Sequence, residues 1–393
     1  LTSERARIAL VRSRYSPFGG AERFAQRALA ALARGPLELT IIARSWSDGS
    51  ASEGPDPAVR LLRCDPFYIG SLWRDWSFAR AVHRALARER FDLVQSHERI
   101  AGLDVYRAGD GVHAVWLERR RAVLGLAGRL GLWLNLHHHY LVAAERRLFE
   151  HPRLRAVICN SQMVRDEILA RFRIDAAKLH LIPNGVDLER FHPRLSSQYR
   201  EPTRLRLAIP APASTFLFVG SGFERKGLAA AIAALPAGAH LIVVGSDKHE
   251  PRYRALAARA GVAGRVHFEG EQSDTLPYYG AADAFVLPTI YDPFPNAVLE
   301  ALAAGLPVIT SDGCGARELI VAGQNGWIVA ANDVARLAQT MKALADSLTA
   351  PGRRGVLAGA ARASVEGLGI DSLRASLVSL YQKLLAEETG SRH

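Results

Sequence analysis

The stretch Val219-Gly220-Ser221-Gly222-Phe223-Glu224-Arg225-Lys226-Gly227 closes an apolar run, Phe216 to Gly220, and opens a helix-period segment. A strand that turns through glycines into a helix is the opening of a βαβ unit, so this stretch points to a parallel sheet with covering helices. The same alternation extends in both directions. Downstream, strand-like runs recur at Leu241 to Val244, Val266 to Phe268, Ala284 to Pro288 and Val308 to Thr310. Upstream they are Ile8 to Val11, Leu39 to Ala43, Val59 to Leu62, Asp92 to Gln95, Val105 to Ala108 and Ala156 to Asn160, with helix-like Ala21 to Ala33 and Gln162 to Phe172 among them. The pattern therefore starts twice. Between the two sets lie the turn Pro183-Asn184-Gly185-Val186-Asp187 and a polar stretch, His192 to Pro212, containing four prolines. That composition suits an interdomain connection. The expected organisation is residues 1–195 and 196–370 as two Rossmann-like α/β domains, with a terminal helix in 371–393 packing back on the first.

Length agrees, since 393 residues exceed what one ordinary core accommodates. A chain that is 49% hydrophobic and 23% charged has the composition of a globular protein. Cys64, Cys159 and Cys314 are far apart and form no CxxC pair, which argues against a disulfide framework or a structural zinc site. Leu1 to Arg7 carries charges of both signs without the apolar stretch of a signal peptide, so a cytoplasmic location is expected. Residues 1–190 hold 30 basic and 21 acidic side chains, leaving 20 and 18 for the remainder, so the basic field belongs to the first half. Such a field favours anionic partners. Nucleic acid is not expected among them, because no helix-turn-helix, zinc finger or RNA-recognition signature is present.

Three stretches carry candidate chemistry. Arg225 and Lys226 stand where a strand gives way to a helix, and two cations beside unpaired helical N–H groups suit a diphosphate. The spacing is not that of a P-loop, which would need Gly-Lys-Ser/Thr. The second stretch runs from Tyr291 to Val308 and includes Asp292, Asn296, Ala297, Val298 and Glu300. Here Asp292 could accept hydrogen bonds from sugar hydroxyls and Glu300 could grip a ribose, while the first-turn N–H groups at Ala297 and Val298 meet phosphates. The third, Ser16-Pro17-Phe18-Gly19-Gly20-Ala21-Glu22-Arg23, places two glycines where a backbone can approach a phosphate closely. Taken singly, each stretch also reads as a turn, a helix cap or a solvated charge pair.

In this order and spacing the three resemble glycosyltransferase family 4 of the two-Rossmann-domain (GT-B) class. Gly102-Leu-Asp-Val-Tyr-Arg-Ala-Gly-Asp110, with the first and third stretches, further resembles the lipopolysaccharide core α-glucosyltransferases of that family. The resemblance implies two domains facing each other across a cleft and a retaining transfer of a hexose from a nucleotide-diphosphate sugar, UDP-glucose, to a lipopolysaccharide core or similar glycolipid. It assigns Arg225 and Lys226 to the donor diphosphate, Glu300 to the ribose, Gly19 and Gly20 to the phosphate side and Asp110 to the acceptor side, and it places His97, as a further catalytic candidate, near a histidine of the cleft. Asp292 stands where the family's motif has its first glutamate, a shorter carboxylate bearing on which sugar is chosen. No Asp-x-Asp motif occurs, so no metal is expected and no cofactor beyond the donor itself. An epimerase of the same fold, or a non-catalytic protein binding anionic lipid, are the alternatives.

One stretch lies outside these motifs. From His113 to Phe149, Arg119, Arg120 and Arg121 precede the apolar Ala122 to Leu136, which contains Trp133 and is followed by His137, His138 and His139. The run is broken by Arg129 and is shorter than the ~20 residues that span a bilayer. Cations beside Leu and Trp suit an element lying in a membrane interface, so peripheral association with the inner membrane is expected. The competing reading is a helix pair buried on the first sheet. Three consecutive histidines point apart on a helix and are not read as a metal site.

Overall fold

A computed structural model describes residues 6–15, 37–46 and 59–390. The chain divides into two compact units, Leu1–Asn184 with Ile370–His393, and Gly185–Gly369.

The first unit is built on a parallel sheet of order β3-β2-β1-β4-β5-β6-β7. Its strands are β1 (Ala6–Tyr15), β2 (Leu37–Trp46), β3 (Val59–Arg63), β4 (Leu93–Ser96), β5 (Val105–Arg107), β6 (Ala156–Cys159) and β7 (Leu179–Leu181). Side chains of a strand alternate between faces, and β1 fills both. Ile8 and Leu10 pack into one cluster with Leu373, Leu377, Leu380, Tyr381 and Leu384 of the helix Ile370–Gly390. Ala9 and Val11 pack into the other with Phe78 and Val82 of the helix Gly70–Arg88. Each fully buried Leu or Phe contributes about 1.5–3 kcal/mol, which ties the last helix of the chain to its first strand.

The second unit has a parallel sheet of order β10-β9-β8-β11-β12-β13. Its strands are β8 (Thr215–Val219), β9 (His240–Val244), β10 (Val266–Gly270), β11 (Ala284–Leu287), β12 (Val308–Ser311) and β13 (Gly326–Val329). Counted from its own first strand, this is the doubly wound order in which the sense of strand addition reverses between the parallel neighbours β8 and β11. The equivalent reversal in the first unit lies between β1 and β4. In such sheets ligands bind beyond the carboxyl ends of the strands at the reversal.

The division falls at Asn184/Gly185 and Gly369/Ile370, not at 195/196 and 370/371. The first boundary lies earlier because Val186, Phe191 and Leu195 are buried in the second core, and the Val186 N–H donates to Leu368 O. The supposed connection from His192 to Pro212 holds a helix, Leu195–Arg206, which accommodates Pro202 and buries Leu195, Thr203 and Arg204. Strands β7 and β13 escaped the reading because they are three and four residues long and interrupted by His180 or opened by Gly326. The helix-like Ala21 to Ala33 lies outside the described residues.

Candidate functional site

At the end of β8 the backbone turns through three glycines with positive φ, Gly220, Gly222 and Gly227. Two of them are required by close approach. A Cβ on Gly220 would lie 2.5 Å from Lys226 Cδ, so the missing side chain makes room for the lysine stem. A Cβ on Gly227 would lie 2.1 Å from Pro288 O, so only glycine lets this turn rest on the end of β11. Between them Phe223–Lys226 forms a single helical turn, anchored by the buried Phe223 and by Asp247, whose Oδ2 accepts the Phe223 N–H at 2.8 Å. Arg225 and Lys226 thus occupy the last turn of this short helix, not the start of a long one as the sequence suggested. Gly227 ends the turn after four residues and a second helix, Leu228–Ala233, begins.

The loop after β11 meets this turn at the reversal point. The Arg225 carbonyl accepts from Ile290 N and Thr289 Oγ1, both at 2.8 Å. Lys226 Nζ lies 3.0 Å and Arg225 Nη1 3.1 Å from the same oxygen, Asp292 Oδ2. Asp292 is held through its own backbone as well, its N–H donating to Gly313 O and its carbonyl accepting from Gly315 N. Burial by itself would raise the Asp292 carboxyl, yet Lys226 and Arg225 outweigh it and hold the group below the usual carboxylate range. Residues 66 apart in sequence are thereby joined into one triad of two cations and one anion, with Lys226 and Asp292 buried and Arg225 part-exposed.

A folded-state pKa below the unfolded one has a definite sign in stability. The contribution of Asp292 is fully present above the ordinary aspartate pKa of about 3.9 and is lost as pH falls through the depressed folded value. Asp292→Asn should therefore destabilise the protein at neutral pH, with the gap to wild type closing on acidification. Denaturant midpoints of both proteins between about pH 7 and about pH 3 provide the check, and a gap that widens towards acid would contradict it.

Glu300 lies on the helix Asn296–Ala303, where Tyr279 Oη donates to its Oε2 at 2.7 Å. Tyr279 is fully buried, and burial followed by the Glu300 charge pushes its phenol well above the usual range, so it stays a donor. The helix begins directly after Pro295, and the Val298 N–H donates back to Pro295 O at 3.1 Å. The expectation that Val298 offers an unpaired N–H to a phosphate is corrected by that bond. Ala297 is buried and Asn296 partly exposed on the same turn.

In the first unit, His97 and Asp110 both lie in loops at the carboxyl edge of the sheet, after β4 and β5. The His97 N–H donates to Val11 O, and its Nε2 lies 3.1 Å from Gln95 Nε2. Asp110 is largely exposed and 3.9 Å from Arg99. Arg99 in turn donates to the buried Glu145, which also accepts the N–H of His113 at the start of the helix His113–Val123. Gly19 and Gly20 lie outside the described residues.

Asp247, Tyr279, Arg99 and Glu145 were not singled out in the sequence. Each acts by holding another group, a role that leaves no spacing to read; Asp247, three residues beyond a strand of a βαβ unit, was the most detectable.

The stretch from His113 to Phe149 forms three helices, His113–Val123, Leu126–Leu134 and Leu136–Phe149, interrupted around Gly125 and Asn135. Leu126, Leu130, Trp133, Leu134 and Leu136 are exposed, from 57% for Leu130 to 83% for Leu126, which counts against burial of the middle of the stretch, whereas its ends pack, Val115, Leu148 and Phe149 being buried and Phe149 lying against Tyr106 of β5. Arg120 lies over the Trp116 ring, and the three histidines go to three different partners, Asp75, His113 and the Trp133 carbonyl. No helix of the described residues is long and apolar enough to cross a membrane.

Two Rossmann-like parallel sheets make up the GT-B fold, and in the second of them Arg225, Lys226 and Asp292 meet at the reversal point. Comparison with known proteins agrees. The model described as Glycosyltransferase Family 4 matches residues 18–190 and that described as Glycosyl transferases group 1 matches residues 213–347, so the chain belongs to this family of glycosyltransferases. It is 28% identical over 352 residues to the lipopolysaccharide glucosyltransferase WaaG of Escherichia coli (strain K12), spanning 86% of this chain and 90% of that protein. The crystal structure of WaaG, described as involved in lipopolysaccharide biosynthesis, superposes with a TM-score of 0.79 at 26% identity, covering 95% of this chain and 99% of that one. The structure of Anabaena HepE in complex with UDP-glucose shares the fold, with a TM-score of 0.72 at 20% identity over 96% and 99% of the two chains.

Proposed function

We propose that the chain is a retaining hexosyltransferase that moves glucose from UDP-glucose to a lipopolysaccharide core or similar glycolipid. The observation that carries this reading is the convergence of Arg225 and Lys226 on the reversal point of the second sheet, in a chain similar to WaaG over most of its length. A diphosphate entering there replaces the single carboxylate oxygen the two cations share. As the anomeric carbon–oxygen bond breaks, negative charge grows on the leaving phosphate, and Arg225 and Lys226 stabilise that charge more than the ground state. The acceptor hydroxyl attacks from the same face, forming the new anomeric bond and passing its proton to the leaving phosphate oxygen. The configuration is retained and UDP is released. Glu300, oriented by Tyr279, grips the ribose, while Asp292 accepts from sugar hydroxyls. With two cations serving the diphosphate, transfer needs no divalent metal.

Acceptor contacts are assigned to the first unit, with Asp110 and His97. The exposed leucines and Trp133, beside Arg119, Arg120 and Arg121, suit the cytoplasmic face of an anionic bilayer, where a lipid-linked acceptor is presented. Replacing the three arginines together by glutamine should weaken binding to phosphatidylglycerol vesicles while donor hydrolysis stays unchanged. Equal vesicle co-sedimentation of the variant and wild type would remove the membrane assignment.

The test of donor identity is a thermal-shift and hydrolysis panel in the absence of metal, using UDP-glucose, UDP-galactose, UDP-N-acetylglucosamine, GDP-mannose and ADP-heptose. UDP-glucose is expected to stabilise the protein and release UDP slowly. Response to another donor would reassign the sugar, and silence to all five would sink the transferase reading.

A further inference from the structure

Leu93, Gln95 and His97 follow one another at period two along and beyond β4, on the face covered by the helix Ile370–Gly390. Leu93 joins the apolar cluster there, and Gln95 is as buried as its neighbours. Its amide is enclosed by two partners. Tyr381 Oη, from the covering helix, donates to Gln95 Oε1 at 2.7 Å, and Gln95 Nε2 lies 3.1 Å from His97 Nε2.

An amide has one acceptor end and one donor end, so fixing one fixes the other. With its oxygen occupied by the tyrosine hydrogen, Gln95 turns an N–H towards His97, and Nε2 must then carry a lone pair. The orientation has an electrostatic cause. Burial raises the Tyr381 phenol, which therefore keeps its proton, while the nearby Arg107 cation pulls in the opposite direction and draws the phenol oxygen's lone pairs towards itself. Arg107 is itself held by Asn184 Oδ1 at 2.8 Å. The Tyr381 hydrogen is left pointing away from the guanidinium, at Gln95. Burial, then Arg12 and Arg107, push the His97 pKa well below its ordinary value, so the ring is neutral and has one proton to place.

We infer that Tyr381 and Gln95 are positioning residues that lock His97 in the Nδ1–H tautomer, making it a hydrogen-bond donor to an oxygen of bound substrate at the carboxyl edge of the first sheet. The last helix of the chain thereby sets the chemistry of a loop almost 300 residues earlier. The substrate contact rests on the reading of His97 under the proposed function; the tautomer does not.

The experiment is long-range ¹H–¹⁵N correlation spectroscopy on the full chain labelled with ¹⁵N-histidine, the His97 signals being identified with His97→Ala. Wild type should show His97 protonated at Nδ1 and bare at Nε2. Gln95→Glu, whose carboxylate can only accept, should move the proton to Nε2, and Tyr381→Phe should bring a second tautomer into view. A protonated Nε2 in wild type overturns the inference, as does an unchanged Nδ1–H tautomer in folded Gln95→Glu. Should the variants not fold, the wild-type spectrum decides alone. A wild-type Nδ1–H tautomer combined with undiminished transfer by His97→Ala would remove only the substrate contact.

Discussion

Lys226→Ala should lower the rate constant of sugar transfer about 100-fold, the scale set by removing one preorganised donor from a developing oxyanion. Lys226 is 9% exposed, so water replaces its charge poorly, and its stem lies in the space that Gly220 leaves. Arg225 alone then faces the leaving diphosphate and the Asp292 carboxylate. The turn itself should survive, because Phe223, the Asp247 cap and the contact of Gly227 with Pro288 do not involve the lysine side chain. The loss should therefore fall on kcat, with far-ultraviolet dichroism unchanged and the thermal midpoint lowered modestly. A purified variant turning over within twofold of wild type would mean that the triad is an ordinary buried ion pair.

Glu300→Ala is expected to raise the donor KM about 10- to 100-fold, since hydrogen bonds to a charged acceptor are worth about 1.5–3 kcal/mol and each 1.4 kcal/mol is a factor of ten. This variant carries a second cost. Tyr279 loses the shorter of its two hydrogen bonds and keeps only the 3.4 Å one to Ala297 O, a cost of about 1 kcal/mol that shows as lower stability in the absence of any substrate. Glu300→Gln separates the two effects, because its amide oxygen still accepts from Tyr279 while the charge proposed to grip the ribose is gone. The glutamine variant should keep the thermal midpoint of wild type and lose donor affinity. Equal donor KM in all three proteins would move the ribose contact elsewhere.

Both variants depend on neighbours that the sequence did not disclose, and the difference has a physical basis. Strand and helix periodicity and the glycines of the β8 turn are local properties, written into consecutive residues by backbone sterics and by burial on two faces of a parallel sheet. From them two Rossmann-like α/β domains and the candidacy of Arg225, Lys226, Asp292 and Glu300 could be read before any coordinates, whereas the strand order and its reversal between β8 and β11 could not. The domain boundary was misplaced by about ten residues because polar composition and four prolines look like a linker. Burial of Phe191 and Leu195 makes the same segment part of the second core.

What only the tertiary structure decided is which groups face one another. That Asp292 shares one oxygen between two cations, that Tyr279 holds Glu300, and that Tyr381 reaches Gln95 are contacts across 66, 21 and 286 residues of chain. Hydrogen bonds and ion pairs act over a few ångströms and carry no sequence period, so their partners emerge only when the sheets have brought distant loops to a common edge. The sequence by itself determined the architecture and the residue types at the site; packing decided their protonation, their orientation and which of them act through another.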